Sequence, residues 1–351
     1  MENQNQTPHK RRVRYKGKYP KKFEEKYKEL QPEKYKDTIE HVIQKGNTPA
    51  GMHISIMVKE IIDFLNIQPG EIGFDATLGY GGHTKAMLKC LNGKGHIYAT
   101  DVDPEESDKT KKRLADQGFG EDLLTVKLQN FCTIDEIAKE VGGFDFILAD
   151  LGVSSMQIDN PKRGFSFKVD GPLDLRLNQE AGISAAERLD TITRDELAGM
   201  LYENSDEPYC EELAKAITDE IRKGNRIDTT AKLRQVIEKT LDFLPEKEKK
   251  DTIKKTCQRT FQALRIDVNR EFEALYEFME KLPDALRPGG RVAILTFHSG
   301  EDKLVKKALK EGYKAGIYSD YAKDVIRPSA QECAQNGRAR STKMRWAVKN
   351  K

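Results

Sequence analysis

A glycine-rich segment between an apolar run and a helical pattern is the part of the sequence best suited to hold a small molecule. Residues 75–83 read DATLGYGGH and directly follow the apolar Ile72-Gly73-Phe74. Residues 82–91 then carry apolar side chains at helical spacing. A strand, a glycine-rich turn and a helix N-terminus let backbone N–H groups approach a ligand closely. We therefore predict a ligand site at this turn.

An acid 20 residues after Gly81 narrows the ligand to a nucleotide type. Asp101 ends the next predicted strand, at the spacing expected for a carboxylate that binds ribose hydroxyls. A dinucleotide site has the pattern G-x-G-x-x-G, but Thr84 stands where the third glycine would be. The observed G-x-G-G, closed by His83, suits a cofactor without a pyrophosphate, such as S-adenosylmethionine. For this motif taken alone, a tight turn without a ligand is the alternative.

Further candidate residues lie at the carboxyl ends of predicted strands, where an open α/β sheet binds its ligands. They are Asp75, Asp150 and the pair Asn130-Phe131. Phe131 is placed either to pack on an adenine ring or to pack in the core. Asp150 ends a strand that is otherwise mostly apolar, and an unpaired buried charge is costly, so we expect a functional or capping role for it.

The elements that must position these residues alternate between strand and helix patterns, which predicts a mostly parallel sheet covered by helices. Strands are expected at 72–78, 96–101, 123–128, 144–150 and 291–297, and helices at 82–91, 105–116 and 267–282. A capping box at 133–136 opens a further helix. A loop punctuated by glycine and proline covers 152–178, residues 184–257 are helical, and Pro288-Gly289-Gly290 is a turn.

These patterns divide the chain into three parts. An α/β domain is predicted over 51–178 and 260–351, with a helical subdomain inserted at 179–259 and a basic, flexible extension at 1–50. No apolar run approaches the roughly 18 residues of a membrane span, and no apolar stretch follows the basic N-terminus as in a secretory signal. The five cysteines are scattered and the six histidines do not cluster, which predicts a reducing, cytoplasmic compartment and no metal site.

Basic residues are concentrated at the two ends of the chain. Residues 1–36 carry 12 Lys/Arg and 5 acids, and residues 338–351 carry six Lys/Arg and no acid, although the whole chain has a net charge of only +3. Basic arms on an acidic body indicate a polyanionic partner such as RNA, and Tyr15 and Tyr19 could stack on bases. A solubilising tail is the alternative.

Several long motifs occur in one order along the chain. They are DLGVSS at 150–155, RGFSF at 163–167, DGPLDLR at 170–176, RTFQALRI at 259–266, PGGR at 288–291, TFHS at 296–299 with Glu301-Asp302, and RARS at 338–341 with Lys343. With them the sequence resembles the bacterial small-subunit ribosomal RNA methyltransferase H family (RsmH/MraW) over nearly the whole chain from His53 onward. The chain departs from the family pattern at Gly300, where leucine is usual, at 255–258 and at Ser55-Ile56.

The resemblance implies a Rossmann-like S-adenosylmethionine-dependent methyltransferase sheet with an inserted helical subdomain. It implies N4-methylation of a decoding-centre cytosine in 16S rRNA, so the small ribosomal subunit is the expected partner. The implied cofactor contacts are Gly81, Gly82, His83, Asp101, Phe131, Asp150 and Gln157. A catalytically inactive or retargeted paralogue that binds RNA during ribosome assembly is the alternative. A dehydrogenase is disfavoured by the missing third glycine.

Asp150 is our candidate catalytic residue. Cytosine N4 is a poor nucleophile because its lone pair is delocalised into the ring, so positioning should dominate the rate. An acceptor aimed at the N4 hydrogens would localise that lone pair. Arg163, Phe165 and Phe167 could hold the base or form a packed lid. We discount a hydrolase built on His298-Ser299 and Asp302, since the sequence has no G-x-S-x-G elbow.

Overall fold

A seven-stranded sheet forms the centre of the protein. The computed structural model describes residues 55–351, so the predicted extension at 1–50 lies outside the described residues. The strand order is β3-β2-β1-β4-β5-β7-β6. β1 to β5 are parallel, and β7 is antiparallel to both of its neighbours, which confirms the mostly parallel sheet. The strands are β1 Ile72–Asp75, β2 His96–Asp101, β3 Leu124–Leu128, β4 Phe144–Asp150, β5 Leu286–Thr296, β6 Tyr318–Tyr321 and β7 Lys343–Lys349.

The helices fall into those that cover the sheet and those inserted between β4 and the helix Glu271–Ala285. The first group is α1 Val58–Leu65, α2 Gly82–Leu91, α3 Pro104–Ala115, α4 Ile134–Val141, α11 Glu271–Ala285, α12 Ser299–Lys314 and α13 Ala330–Gln335. The second group is α5 Ser155–Asp159, α6 Ala185–Thr191, α7 Arg194–Ser205, α8 Cys210–Arg222, α9 Thr230–Thr240 and α10 Glu246–Asn269. Capping boxes at Ser154, Ser184 and Thr193 begin α5, α6 and α7.

Apolar side chains form one core on each face of the sheet and a third core among the inserted helices. One face packs against α4, α11 and α12, and the other against α1 and α2. The third core joins α6 to α10 and also includes Phe165, Leu173 and Leu175 from the loop after β4. The loop before residue 179 thus shares the core of the helices that follow it. The limits of the inserted subdomain at residues 179 and 259 remain a prediction.

The direction in which the chain leaves β1 creates a crevice. The chain runs outward from β1 to β3 and then returns to place β4 on the other side of β1. Ligands of open α/β sheets bind at such a reversal, outside the carboxyl ends of the strands. Asp75, Asp101 and Asp150 end β1, β2 and β4 at this edge. The fold thus brings the sequence-predicted acids to one side of the sheet.

The C-terminal basic segment is not a free arm, so that part of the sequence interpretation is wrong. Residues 343–349 form β7, which is hydrogen-bonded between β5 and β6. Met344 and Ala347 are buried in the sheet cores, and Arg345 is buried in an ion pair with Asp302. The charge count did not reveal that apolar residues between the basic ones give the segment a buried strand face.

Candidate active site

The glycine-rich turn is fixed by contacts that leave no room for side chains. Gly81 has a φ of +71° and is the N-cap of α2. A Cβ there would lie 2.7 Å from Cγ2 of Thr110 on α3, and a Cβ at Gly82 would lie 2.0 Å from Oγ of Ser55. The turn therefore packs tightly on its neighbours at the start of α2, where the first backbone N–H groups of a helix have no partner within the helix.

Asp101 links the turn to the end of β2. One carboxylate oxygen accepts the Gly79 N–H at 2.7 Å, and the other accepts the Asp103 N–H at 2.9 Å. Burial raises the pKa of Asp101 to about 6, although these hydrogen bonds favour the charged form. Each carboxylate oxygen has a further lone pair, so Asp101 can still accept hydrogen bonds from a ligand's hydroxyl groups.

Buried His83 and half-buried Asp150 form a pair on the crevice floor. The Nε2 atom of His83 lies 2.9 Å from the carbonyl oxygen of Ile56, and Nδ1 lies 3.3 Å from Oδ2 of Asp150. A carbonyl oxygen can only accept, so Nε2 carries a proton, and the contact with Asp150 favours a second proton on Nδ1. Burial opposes the charged imidazole, but Asp150 outweighs it, and the pKa of His83 is raised.

The second oxygen of Asp150, Oδ1, is buried and has no hydrogen-bond partner among residues 55–351. The Asp150 backbone N–H is held by the Thr77 hydroxyl at 2.8 Å, so the end of β4 is fixed in place. Asp75 lies nearby, fully buried, and accepts from the hydroxyl of Thr84 at 2.7 Å. Burial raises its pKa as well. The floor of the crevice thus holds two carboxylates for one imidazole.

Gln157 and Phe131 lie on the elements that flank this floor. The side chain of Gln157 accepts the Ser154 N–H and donates to Asp103 at 3.0 Å, so it acts on the site through Asp103. Phe131 is half-buried in a 3₁₀ turn after β3, with its ring in an edge-on contact with Phe278 at 5.3 Å. One side of Phe131 therefore packs in the core while part of the ring stays accessible.

Sequence reasoning missed Asp103, which organises this part of the site. Asp103 caps α3 by accepting the Glu106 N–H and forms a buried ion pair with Arg163 at 2.8 Å. An aspartate directly before proline at the start of a helical pattern is an N-cap signal that could have identified it. Arg163 also donates to the carbonyl of Leu177, which favours the packed-loop alternative over base stacking for Arg163.

A second polar cluster lies beyond the end of β5. Nε2 of His298 is 3.1 Å from Oε1 of Glu301, and Arg265 donates to both carboxylate oxygens of Glu271 at 2.7 Å each. Ligand atoms of Glu271, His298 and Glu301 lie within 4.8 Å of one another, as in a metal site. However, the Arg265 guanidinium already supplies a cation to this group.

Asp302 does not face His298, which agrees with discounting a hydrolase. Its carboxylate accepts from Lys343 at 2.7 Å and from Arg345 at 2.6 Å. These two bonds hold it against β7, on the other side of α12. A Ser-His-Asp arrangement would need the carboxylate to orient the imidazole.

Comparison with known proteins fits this architecture. The model of the MraW methylase family matches residues 50–350. The chain belongs to the MraW methylase family. The chain is 87% identical to a ribosomal RNA small subunit methyltransferase H 1 of Agathobacter rectalis, over 97% of this chain and 98% of the relative. A protein of the same name from Lachnoclostridium phytofermentans is 70% identical over 99% of this chain and 95% of the relative.

Among solved structures, a SAM-dependent O-methyltransferase of Thermotoga maritima aligns with 86% of this chain and 68% of its own, at 11% identity and a TM-score of 0.39. Membership of the MraW methylase family confirms the resemblance noted in the sequence, and the α/β fold class predicted from it agrees with the sheet described above. Within residues 55–351, no helix is long and apolar enough to cross a membrane.

The structure explains why this MraW family member has glycine at position 300. A Cβ on Gly300 would lie 2.6 Å from Cζ of Phe272 and 3.2 Å from Nδ1 of His298. Phe272 packs edge-on against His298, with ring centroids 5.8 Å apart. The phenylalanine ring therefore occupies the space that a larger side chain at position 300 would need.

Proposed function

We propose that the protein transfers a methyl group from S-adenosylmethionine to N4 of a decoding-centre cytosine in 16S rRNA. Family membership supports methyl transfer, and the names of the relatives support small-subunit rRNA as the substrate. The observation that carries the proposal is the Asp150 carboxylate at the carboxyl end of β4, which is held by His83 and remains 22% exposed. Because the substrate is ribosomal, the proposed location is the cytoplasm.

The crevice residues fit a cationic nucleoside. Asp101 is suited to the ribose hydroxyls and Phe131 to the adenine, while Gly81 and Gly82 allow close backbone approach. Gln157 would support this wall through Asp103. Two carboxylates share one imidazole on the crevice floor, so a positively charged sulfonium would balance the charge there. When bound, the cofactor supplies an electrophilic methyl group.

Asp150 would act on the nucleophile. The carboxylate, whose side chain is 22% exposed, can accept a hydrogen bond from the cytosine amino group, which draws the N4 lone pair out of conjugation and stabilises the positive charge that develops on nitrogen. As the N4–methyl bond would form, the sulfur–methyl bond would break to leave a neutral thioether, and the Asp150 carboxylate would accept the proton that N4 loses. His83 holds Oδ2 of the carboxylate, so Asp150 is oriented before the substrate arrives.

An isosteric substitution tests this role. Asp150→Asn should lower turnover roughly 100- to 1000-fold at saturating cofactor and RNA, as expected for the loss of one preorganised electrostatic contact. Asp251→Asn, which removes an exposed carboxylate on α10 paired with Lys255, is the matched control. Calorimetry would report cofactor binding, and mass mapping of 16S rRNA would report the modified base.

The outcomes separate the candidate functions. A loss of cofactor affinity without a change in turnover would limit Asp150 to cofactor binding. Absence of cofactor binding in the wild-type protein would instead favour an RNA-binding assembly factor without catalysis. Mass mapping of rRNA from a strain that lacks the protein should show one unmethylated cytosine, and methylation of a different base would overturn the N4-cytosine assignment.

A further inference from the structure

The outer face of α12 carries a stripe of five exposed lysines, which we name the α12 lysine stripe. They are Lys303, Lys306, Lys307, Lys310 and Lys314. Two of the helix's three acids are directed inward: Glu301 is buried beside His298, and Asp302 is buried against β7. Only Glu311 remains exposed with the lysines, so this face has a strong positive charge.

Four of the five lysines of the stripe make no ion pair within residues 55–351, unlike several lysines on other helices. Lys109, Lys139 and Lys232 each have an acid one turn away, at 2.6 to 3.0 Å. Among residues 55–351, the stripe makes one ion pair, a long contact of 3.8 Å from Lys303 to Asp206. Like charges three and four residues apart repel each other along a helix. An anionic partner would remove this repulsion.

The stripe starts beside the crevice. α12 begins at Ser299, just beyond the carboxyl end of β5, which pairs with β4 up to Asp150. From Lys303 to Lys314 the helix rises about 16 Å, since each residue adds about 1.5 Å. Tyr313 lies at the far end, 41% exposed, where a base could stack on it.

We propose that the α12 lysine stripe binds the phosphate backbone of the RNA next to the target base. This inference rests on the proposed function, because it takes the substrate to be RNA. The stripe makes no base-specific contact in this proposal, so it contributes affinity and orientation while the crevice selects the base. An acidic protein surface is the rival partner. If the stripe binds such a surface, substitution of its lysines would leave the affinity for protein-free RNA unchanged.

A pair of charge-matched variants tests the proposal on the full chain. The stripe variant is K306Q/K307Q/K310Q/K314Q, and the control is K109Q/K111Q/K139Q/K232Q, which removes four lysines that are paired with acids elsewhere on the surface. The probe is a protein-free fragment of 16S rRNA that contains the decoding centre. Affinity is measured over a series of salt concentrations, and melting temperatures verify that both variants are folded.

Each phosphate contact contributes about 0.7–0.9 to the slope of log affinity against log salt, so the stripe variant should lower the magnitude of the slope by about 3. Its KM for RNA should rise while kcat at saturating RNA stays unchanged, and the control should show neither effect. If the two variants behave alike while the wild-type protein methylates RNA, the proposal is wrong and the proposed function stands. If the wild-type protein neither binds nor methylates RNA, both are wrong.

Discussion

Two buried groups that each contain a histidine and carboxylates differ in how their charges are balanced. On the crevice floor, Asp75 and Asp150 face one imidazole, His83, and one oxygen of Asp150 has no partner within residues 55–351. Beyond β5, Glu271 and Glu301 face the imidazole of His298 and the guanidinium of Arg265. The second group contains a guanidinium, whose charge does not depend on pH, whereas the only cationic partner of the first group is an imidazole.

This difference distinguishes a binding site from a structural cluster. An excess buried charge costs stability unless a ligand compensates for it, which is why strongly perturbed groups concentrate at functional sites. A cluster that already contains an arginine has less need of a ligand, and Glu301 there also accepts a hydrogen bond from the Phe297 N–H at 2.8 Å. We therefore expect substitutions in the second group to change folding, and those in the crevice to change binding and catalysis.

The largest effect on stability should follow from removing a carboxylate of the second group, which contains Arg265 and Glu271. Glu271→Gln leaves the Arg265 guanidinium buried without its bidentate partner, which should cost roughly 3–5 kcal/mol of unfolding free energy. Chemical denaturation would measure the loss. Asp251→Asn, at an exposed pair with Lys255 on α10, is the control and should have little effect. A stable Glu271→Gln protein with lost activity would assign the cluster to the active site.

A smaller effect is expected at Asp101, and it should appear in cofactor affinity. Asp101→Ala removes charge-assisted hydrogen bonds of about 1.5–3 kcal/mol, or roughly a 10- to 150-fold loss in affinity. Asp116→Ala, at the exposed end of α3, is the control. Calorimetry with S-adenosylmethionine provides the measurement. Unchanged affinity, or tighter binding of NAD, would contradict the assignment of the crevice.

The pKa of Asp101 adds a pH dependence to the same experiment. Since burial raises that pKa to about 6, the ionised acceptor is lost as the pH falls through 6, and affinity should decrease there. The stability of the unliganded protein depends on pH in the opposite direction. An acid whose pKa is raised on folding is more costly when ionised, so its contribution to stability falls as the pH rises from about 4 to above 6. Asp101→Ala should remove both trends.

The residues that line this crevice could be predicted from the sequence, but the contacts that hold those residues in place could not. Asp101 and Asp150 could be located because they end apolar strands, and parallel strands end at one edge of a sheet. Asp103 and its ion pair with Arg163 join residues 60 positions apart, which no local pattern specifies. The C-terminal basic segment was wrongly interpreted as an arm for the same reason. Arg345 on β7 pairs with Asp302 on α12 only once the chain has folded.

Position 300 packs directly against the second group, which contains His298. Gly300→Leu should destabilise the protein by about 1–3 kcal/mol, because the new side chain meets the Phe272 ring beside His298. The double variant Gly300→Leu/Phe272→Ala should recover part of that loss, since the leucine side chain can then fill the space left by the phenylalanine ring. Denaturation of the two single variants and the double variant gives the coupling. Simple additivity would mean that Phe272 does not determine the residue at position 300.

The smallest effect, of the order of 1 kcal/mol, concerns the coupling between His83 and Asp150. A double-mutant cycle with His83→Asn and Asp150→Asn isolates it by comparing unfolding free energies at several pH values. Because the pKa of His83 is raised on folding, the stabilisation from its charged form is fully present below the unfolded value of about 6.5. It is lost as the pH rises through the higher, folded pKa.

The coupling energy should therefore be favourable on the acid side of neutrality and should decrease at alkaline pH. It should vanish or become unfavourable there, because neutral His83 keeps its proton on Nε2 for the carbonyl of Ile56 and then presents the lone pair of Nδ1 to the Asp150 carboxylate. A coupling that does not change with pH would mean that His83 is neutral in the folded protein. Asp150 would then be unbalanced by any cation of the crevice floor, and the demand for a positively charged ligand would be greater.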